Sequence, residues 1–342
     1  MEIHENFMNK CLILAKKGRG KTSPNPMVGC VIVHNNKIIG EGYHEKYGHQ
    51  HAEVNAINSV KNKNLLKEST LYVNLEPCAH HGKTPPCSDL IINNNIPKVI
   101  IGCKDSFIEV SGKGIEKMKR HNIDVKVGVL EKECLDLNKR FFTFHDKRRP
   151  YIILKWAKSK DNLIAPINQK EKFWMTSNSS KKLVHKWRSY EDAILIGSRT
   201  AKIDNPHLTV REVQGENPIR IIINQNLNLP LDLNIYNNEA KTIIYNAIRN
   251  DQINLNKFIK IDFNNLIKSV LKSLYKQKIQ SLIIEGGAHT INTFIQQGIW
   301  DEARVFTANK NLKSGLPTPV IKKKPFSIKK IEQDIIEIYR NV

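Results

Sequence analysis

The sequence contains no run of about 18 consecutive apolar residues, so no membrane-spanning helix is expected. It opens on the acidic Met1-Glu2-Ile3-His4-Glu5. Its first apolar run, Cys11-Leu12-Ile13-Leu14-Ala15, is too short for a secretory leader. The expectation is a soluble, cytoplasmic protein. No cysteine occurs after Cys134, and no tryptophan before Trp156. With 342 residues and no leader, the 6 cysteines are not expected to form a disulfide framework. Acidic residues are few: 33 Asp and Glu face 54 Lys and Arg, a net charge of +21. The excess has three readings: attraction to nucleic acid, attraction to phosphorylated small molecules, or a Lys/Asn/Ile-rich composition from an A+T-rich genome. The G-x-G-x-x-G dinucleotide fingerprint is also missing. What remains is ordinary: 40% apolar and 25% charged residues argue against wholesale disorder and a fibrous protein. The length fits two domains, and the split between cysteine and tryptophan points the same way.

Short apolar runs alternate with helical patterns. Residues 5–17 have Met8, Cys11, Leu12 and Ala15 at helical spacing. Strands are predicted at 28–33 and 37–44, joined at Asn35-Asn36, and at 70–74, 99–103 and 125–129. Helices are predicted at 51–60, 87–93 and 113–121. The charged run His145-Asp146-Lys147-Arg148-Arg149-Pro150 reads as a boundary. Beyond it the alternation resumes, with strands at 151–157, 193–197, 219–224, 242–245 and 281–285. Helices are predicted at 177–190, 266–278 and 288–297, and 224–238 reads as a loop. Helices recurring between strands give an α/β class, with helices packed on sheet faces.

The sharpest local signal is His51-Ala52-Glu53 followed by Pro77-Cys78 and Cys87. One imidazole and two thiolates are suitable zinc ligands, and three protein ligands leave a fourth position for water. Zinc lowers the pKa of such water toward about 7. Glu53, two residues beyond His51, is placed to take the water proton and hand it to a leaving amine without binding the metal. A position at a helix start would favour the thiolate forms of Cys78 and Cys87. The H-x-E then P-C…C order is that of zinc nucleobase deaminases, but here eight residues rather than two separate the cysteines.

Four stretches, Asn25–Gly29, Gly42–His44, His51–Ala56 and Leu75–Cys87, resemble the deaminase half of the bifunctional riboflavin biosynthesis family of the RibD type. Trp174–Ser177, Ile196–Thr200, Asp204–Arg211 and Glu285–Gly287 resemble its reductase half. The resemblance implies a three-layer cytidine-deaminase-like domain over residues 1–146 and a dihydrofolate-reductase-like α/β domain over 147–342. It implies zinc on His51, Cys78 and Cys87, with Glu53 as proton shuttle. It implies hydrolytic deamination of 2,5-diamino-6-(5-phosphoribosylamino)pyrimidin-4-one, then NADPH-dependent reduction of the ribosyl group of the product to ribityl. Asn25, His44, His80 and Lys83 would line the pyrimidine pocket. Trp174, Arg188, Leu208, Arg211 and Glu285 would touch the second substrate, the arginines suiting its phosphate. Ala157, Thr200, Asp204 and Gly287, Ala288, His289, Thr290, Ile291, Asn292, Thr293 would touch NADPH. The expected partner is a small phosphorylated pyrimidine, not nucleic acid or membrane, in a homo-oligomer.

The chain departs from the family at several places, among them the segment 308–313, which matches it only weakly. Ser159-Lys160-Asp161-Asn162 replaces a Ser-Leu-Asp-Gly turn, where Asn162 can adopt the left-handed backbone of the glycine. Lys158 and Lys172 stand where smaller or neutral residues are common, and Asp105-Ser106-Phe107-Ile108 replaces Asp-Pro-Asn-Pro. Two competing readings stay open at this point. One is an RNA-directed zinc deaminase with a basic RNA-binding second half. The other is a non-catalytic protein with a closed zinc site, in which His80 or His81 supplies a fourth ligand.

Overall fold

In a computed structural model of the chain, the structure describes residues 2–79, 85–105, 112–167 and 173–341. They divide into two compact units, Met1–Arg148 and Arg149–Val342.

The first unit is built on a sheet of order β2-β1-β3-β4-β5. Its strands are β1 (Gly29–His34), β2 (Lys37–Tyr43), β3 (Thr70–Leu75), β4 (Lys98–Cys103) and β5 (Asp124–Val127). β1 pairs antiparallel with β2 and β3, whereas β3, β4 and β5 run parallel. Asn35 and Asn36 both take positive φ, 45° and 60°, as the tight β1–β2 turn requires. Successive side chains of a strand point to opposite faces. Val31, Val33, Tyr72 and Ile100 therefore meet Met8, Cys11 and Leu12 of α1 (Glu2–Ala15). Cys30, Ile32, Leu71, Val73 and Val99 face the other way. They meet α2 (Ala52–Ser59), α3 (Cys87–Asn93) and α4 (Lys113–Arg120) through Ala56, Ile91 and Met118. Two apolar layers on one sheet make the three-layer arrangement. Helices α5 (Glu131–Leu137) and α6 (Lys139–Lys147) join the α1 side through Cys134, Leu137, Phe141 and Phe142.

The second unit is built on a ten-stranded sheet. Its strands in chain order, with one outlying pair, are β6 (Tyr151–Lys158), β7 (Leu163–Ala165), β8 (Ala193–Gly197), β9 (Ile219–Ile223), β10 (Thr242–Asn246), β11 (Asp251–Ile253), β12 (Asn256–Lys260), β13 (Ser281–Gly286), β14 (Glu302–Thr307), β15 (Leu316–Pro317), β16 (Ser327–Ile331) and β17 (Asp334–Arg340). The sheet order is β11-β12-β10-β9-β8-β13-β6-β14-β17-β16, and β7 pairs with β15 apart from it. The run from β12 to β14 is parallel. Such strands are buried on both faces and read as unbroken apolar runs. Ile152, Leu154, Leu195 and Ile284 pack under α9 (Leu266–Lys276) and α10 (Ala288–Gln296). Ile153, Ile194, Ile222 and Ile283 form the opposite core. The remaining helices are α7 (Asn178–Arg188) and α8 (Ser198–Asp204).

Most predicted elements are present within one to three residues. The differences are instructive. Helices α5, α6 and α8 and strands β7, β11, β12, β14, β15, β16 and β17 have no counterpart in the sequence reading, and β5 stops at Val127, where Gly128 turns with φ 100°. The 224–238 loop holds only a short 3₁₀ turn at Asn234–Tyr236. That loop is organised by Arg220 of β9, a fully buried side chain whose guanidinium donates to the carbonyls of Asn234, Asn237 and Ala240. Asn162 takes φ 58°, the left-handed backbone expected of it. Lys172 and Ser106-Phe107-Ile108 lie outside the described residues.

Candidate functional site

In the first unit, α2 is pressed against β2 at Gly42. A Cβ there would meet Ala56 N at 2.4 Å and Ala52 O at 2.6 Å, so only glycine permits the approach. This fixes the start of α2, where His51 is the N-cap residue in extended conformation (φ −72°) and Glu53 lies in the first turn. Cys78 follows β3. Cys87 opens α3, and its backbone N–H donates to Cys78 Sγ at 3.3 Å. His51 Nδ1 lies 3.3 Å from Cys87 Sγ and 3.7 Å from Cys78 Sγ. The three ligand atoms all lie within 4.8 Å of one another. Zinc–nitrogen bonds of about 2.0–2.1 Å and zinc–sulfur bonds of about 2.3 Å at a tetrahedral angle imply N···S separations of about 3.6 Å. The two measured separations bracket that value, so the donors fit zinc. Among the described residues, these three form the one such His/Cys/Asp/Glu group. His80, His81 and Lys83 lie outside the described residues.

Electrostatics agree with a metal-ready cluster. The Cys78 thiol is pulled down to about 4, first by the hydrogen bond from Cys87 and then, against desolvation, by His51. The hydrogen bond with Cys78 raises His51 to about 8 against desolvation. The Cys87 thiol is pushed up by its hydrogen bond to Cys78 and by burial. The two sulfurs thus share a proton that a cation would displace. Glu53 is buried, and burial raises its pKa against the pull of His51.

Beside the triad, the His44 and His51 rings meet edge-on at 5.6 Å between centroids. His44 is buried, with burial lowering its pKa. In the neutral ring, Nδ1–H donates to Gln50 O (3.0 Å) and Nε2 accepts from the Asn25 amide (3.1 Å), which fixes the tautomer. The Asn25-Pro26 turn is itself clamped. Asn138 takes Met27 N–H at 2.8 Å and gives to Met27 O at 2.9 Å. Asn74 gives to the same carbonyl (3.1 Å) and takes Gly29 N–H (2.7 Å). Both asparagines are buried, and sequence reading missed them.

In the second unit, a cavity of about 540 Å³ opens at the carboxyl ends of β8 and β13, where open α/β sheets bind ligands. It gathers Thr200, Asp204, Glu285, Gly287, Ala288, His289, Thr290 and Thr293. Gly286 and Gly287 are joined by a cis peptide, and Gly287 is the N-cap of α10. The first-turn N–H groups and hydroxyls there suit a phosphorylated cofactor. Four other sequence candidates lie elsewhere. Ile291 is fully buried in the core, and Asn292 does not line the cavity. Ala157 packs on the cluster of Val184, Phe306 and Ile336. Leu208 is buried in the core layer that includes Ile153 and Ile194, with φ 55°.

Glu285 is gripped by Arg188, whose Nε and one terminal nitrogen donate to its two oxygens at 3.1 and 2.7 Å. The third nitrogen donates to Thr209 O. Arg188 therefore points inward onto Glu285. Lys155 of β6, not singled out in the sequence, approaches the same carboxylate at 3.9 Å. Burial pushes Glu285 up, but Arg188 and Lys155 overcome it and hold the pKa at about 2. Burial lowers the Lys155 pKa against the pull of Glu285. Arg211 is exposed; its guanidinium donates to Thr209 Oγ1 and its N–H to His185 Nδ1. Trp174 is 42% exposed, with the Lys181 ammonium 5.6 Å over its ring.

Comparison with known proteins follows this division. Residues 1–103 match the family described as the cytidine and deoxycytidylate deaminase zinc-binding region, and residues 150–333 match the RibD C-terminal domain. The riboflavin biosynthesis protein RibD of Aquifex aeolicus is 43% identical over 323 residues, spanning 92% of this chain and 89% of the relative. That of Escherichia coli is 34% identical over 91% and 89%. The crystal structure of a Thermotoga maritima diaminohydroxyphosphoribosylaminopyrimidine deaminase/5-amino-6-(5-phosphoribosylamino)uracil reductase superposes with a TM-score of 0.91, 35% identity and 99% coverage of both chains. The RNA-directed reading is corrected here: the half it needed as an RNA-binding module matches the RibD C-terminal domain. Among the described residues, no helix is long and apolar enough to cross a membrane.

Proposed function

The chain belongs to the RibD family of bifunctional riboflavin biosynthesis enzymes, a deaminase followed by a reductase, and we propose how its own residues divide that work. The deaminase is assigned to residues 1–146 and acts on 2,5-diamino-6-(5-phosphoribosylamino)pyrimidin-4-one. The reductase is assigned to residues 147–342 and acts on the resulting 5-amino-6-(5-phosphoribosylamino)uracil.

One observation carries the first assignment: His51, Cys78 and Cys87 converge at zinc-ligand separations, with the buried Glu53 in the first turn of the helix that His51 caps. These three side chains would hold zinc, which would supply the Lewis acidity that lowers the pKa of water toward neutral. Glu53 takes a proton from the attacking water and delivers it to the departing amine. A pKa raised by burial lets it hold that proton between the two events. Asn25, oriented by its bond to His44, keeps its side-chain carbonyl and second amide hydrogen for the pyrimidine edge; His80 and Lys83 remain the further pocket residues that the family resemblance implies.

In the second domain, NADPH supplies the hydride when bound. Thr200, Asp204, Gly287, Ala288, His289, Thr290 and Thr293, which line the cavity, would hold it there. Reduction of the opened ribose carbonyl also needs a proton at the oxygen. Lys155, a largely buried ammonium 3.9 Å from the Glu285 carboxylate with its pKa lowered by burial, is the candidate to give it, and Arg188 fixes Glu285 beside it. Arg211 and Trp174 receive the phosphorylated substrate at the exposed side. Accordingly, Arg211→Ala should raise KM for the phosphorylated substrate by roughly tenfold or more while kcat changes little. Steady-state kinetics with and without the 5′-phosphate check this; equal KM values would remove the assignment.

The protein is read as cytoplasmic and homo-oligomeric, with small molecules rather than nucleic acid as its partners. The decisive experiment is to incubate purified protein with the diaminopyrimidine substrate, with and without NADPH. A product mass one unit higher (NH replaced by O) is expected without NADPH, and a further gain of two hydrogens with it.

A further inference from the structure

One acidic side chain beside the triad has no part in the chemistry above. Glu76 lies between β3 and Cys78, in the segment Leu75-Glu76-Pro77-Cys78, and its side chain is buried. Its carboxylate accepts four backbone N–H groups. Oε2 takes those of Asp105 (3.3 Å) and Gly112 (3.0 Å), and Oε1 those of Gly114 (3.1 Å) and Ile115 (3.3 Å). Three of the four belong to the amino-terminal turn of α4 and its N-cap, where orphan N–H groups and the helix dipole favour an anion. The packing behind this nest is close: a Cβ on Gly114 would sit 2.1 Å from Pro77 O. Glu76 N–H also donates to Cys103 O, and Cys78 O accepts from Ser88 N–H. The chain is thus pinned on both sides of Cys78.

We propose that Glu76 is a positioning residue of the deaminase centre: its carboxylate anchors the Pro77-Cys78 backbone to the first turn of α4, and so fixes Cys78 Sγ at the distance from His51 and Cys87 that the metal requires. Both oxygens are needed. A glutamine has the same shape, but in either orientation its NH₂ group faces two N–H donors that the carboxylate accepted. The cost is then two buried, unsatisfied donors and a shift of the backbone that carries Cys78. Outer groups that orient metal ligands typically contribute about 10–100-fold to metal affinity or activity.

The inference rests on the reading of His51, Cys78 and Cys87 as zinc ligands. Its test uses the full chain loaded with zinc. In Glu76→Gln we expect zinc to pass to a chromogenic chelator roughly tenfold faster than in the parent protein. Deaminase kcat should fall by about the same factor with KM little changed, whereas reductase kinetics stay at the parent value. Glu76→Asp, which restores two acceptor oxygens on a shorter stem, should recover part of both losses. Zinc release and deaminase kcat unchanged in Glu76→Gln would overturn the proposal. So would loss of the first unit's own thermal transition in both variants, because the carboxylate would then determine the fold rather than place a ligand. A parent protein that binds no zinc would instead overturn the ligand reading itself.

Discussion

Glu53→Gln is expected to abolish measurable ammonia release while leaving zinc bound. The amide keeps the shape of the side chain but cannot carry the proton from water to amine, and a positioned proton shuttle contributes about 10²–10⁴ in rate. Glu53 is not among the three metal-donor atoms, so metal content by elemental analysis should be that of the parent. The second reaction is an internal control: supplied with the deaminated intermediate, the variant should consume NADPH normally. Unchanged ammonia release would remove Glu53 from the mechanism.

Glu285→Gln should have its large effect on stability. Arg188 and Lys155 both point at this carboxylate, and the Arg188 and Glu285 side chains are 10% and 9% exposed. Removing one partner of a buried charge cluster strands the others, at a cost of about 3–5 kcal/mol. Urea unfolding of the second unit should report that loss, and reductase activity should disappear with it. The pH dependence has a definite sign. Glu285 is held at about 2 against an ordinary 4.5, so its contribution is fully present above about pH 4.5 and is lost as pH falls toward about 2. The parent's unfolding free energy should therefore drop more steeply than that of Glu285→Gln through this window. Parallel curves would show that the cluster carries no net stabilisation.

The metal centre was legible in the sequence because its evidence is local: a His two residues before a Glu, and two cysteines with a proline before each. The Asn35-Asn36 turn was legible for the same reason. What escaped was written over long separations. Helices α5 and α6 follow the N-cap residues Leu130 and Asn138, neither of which caps its helix with a side chain: leucine gives no start signal, and Asn138, though of a capping type, is used elsewhere. Asn138 is engaged instead with Met27, 111 positions away. β14 and β17 were obscured by charges inside the strands, such as Glu302 and Arg304, that only pairing makes tolerable in a core. Lys155 carried a usable signal, a lone lysine inside the apolar run Tyr151–Trp156, because lysine in a buried strand demands a partner.

The grip of Asn138 on Met27 sets a lower limit on how short a working deaminase can be. The recognisable zinc-binding region ends at residue 103, but the turn carrying Asn25 is held by a side chain 35 residues further on, supported by Leu137, Phe141 and Phe142 packing toward α1. A fragment truncated at the end of β4 would keep every metal donor and lose the side chain that holds the Asn25 turn, the wall proposed for the pyrimidine pocket. The smallest excisable piece that still turns over must extend through α6.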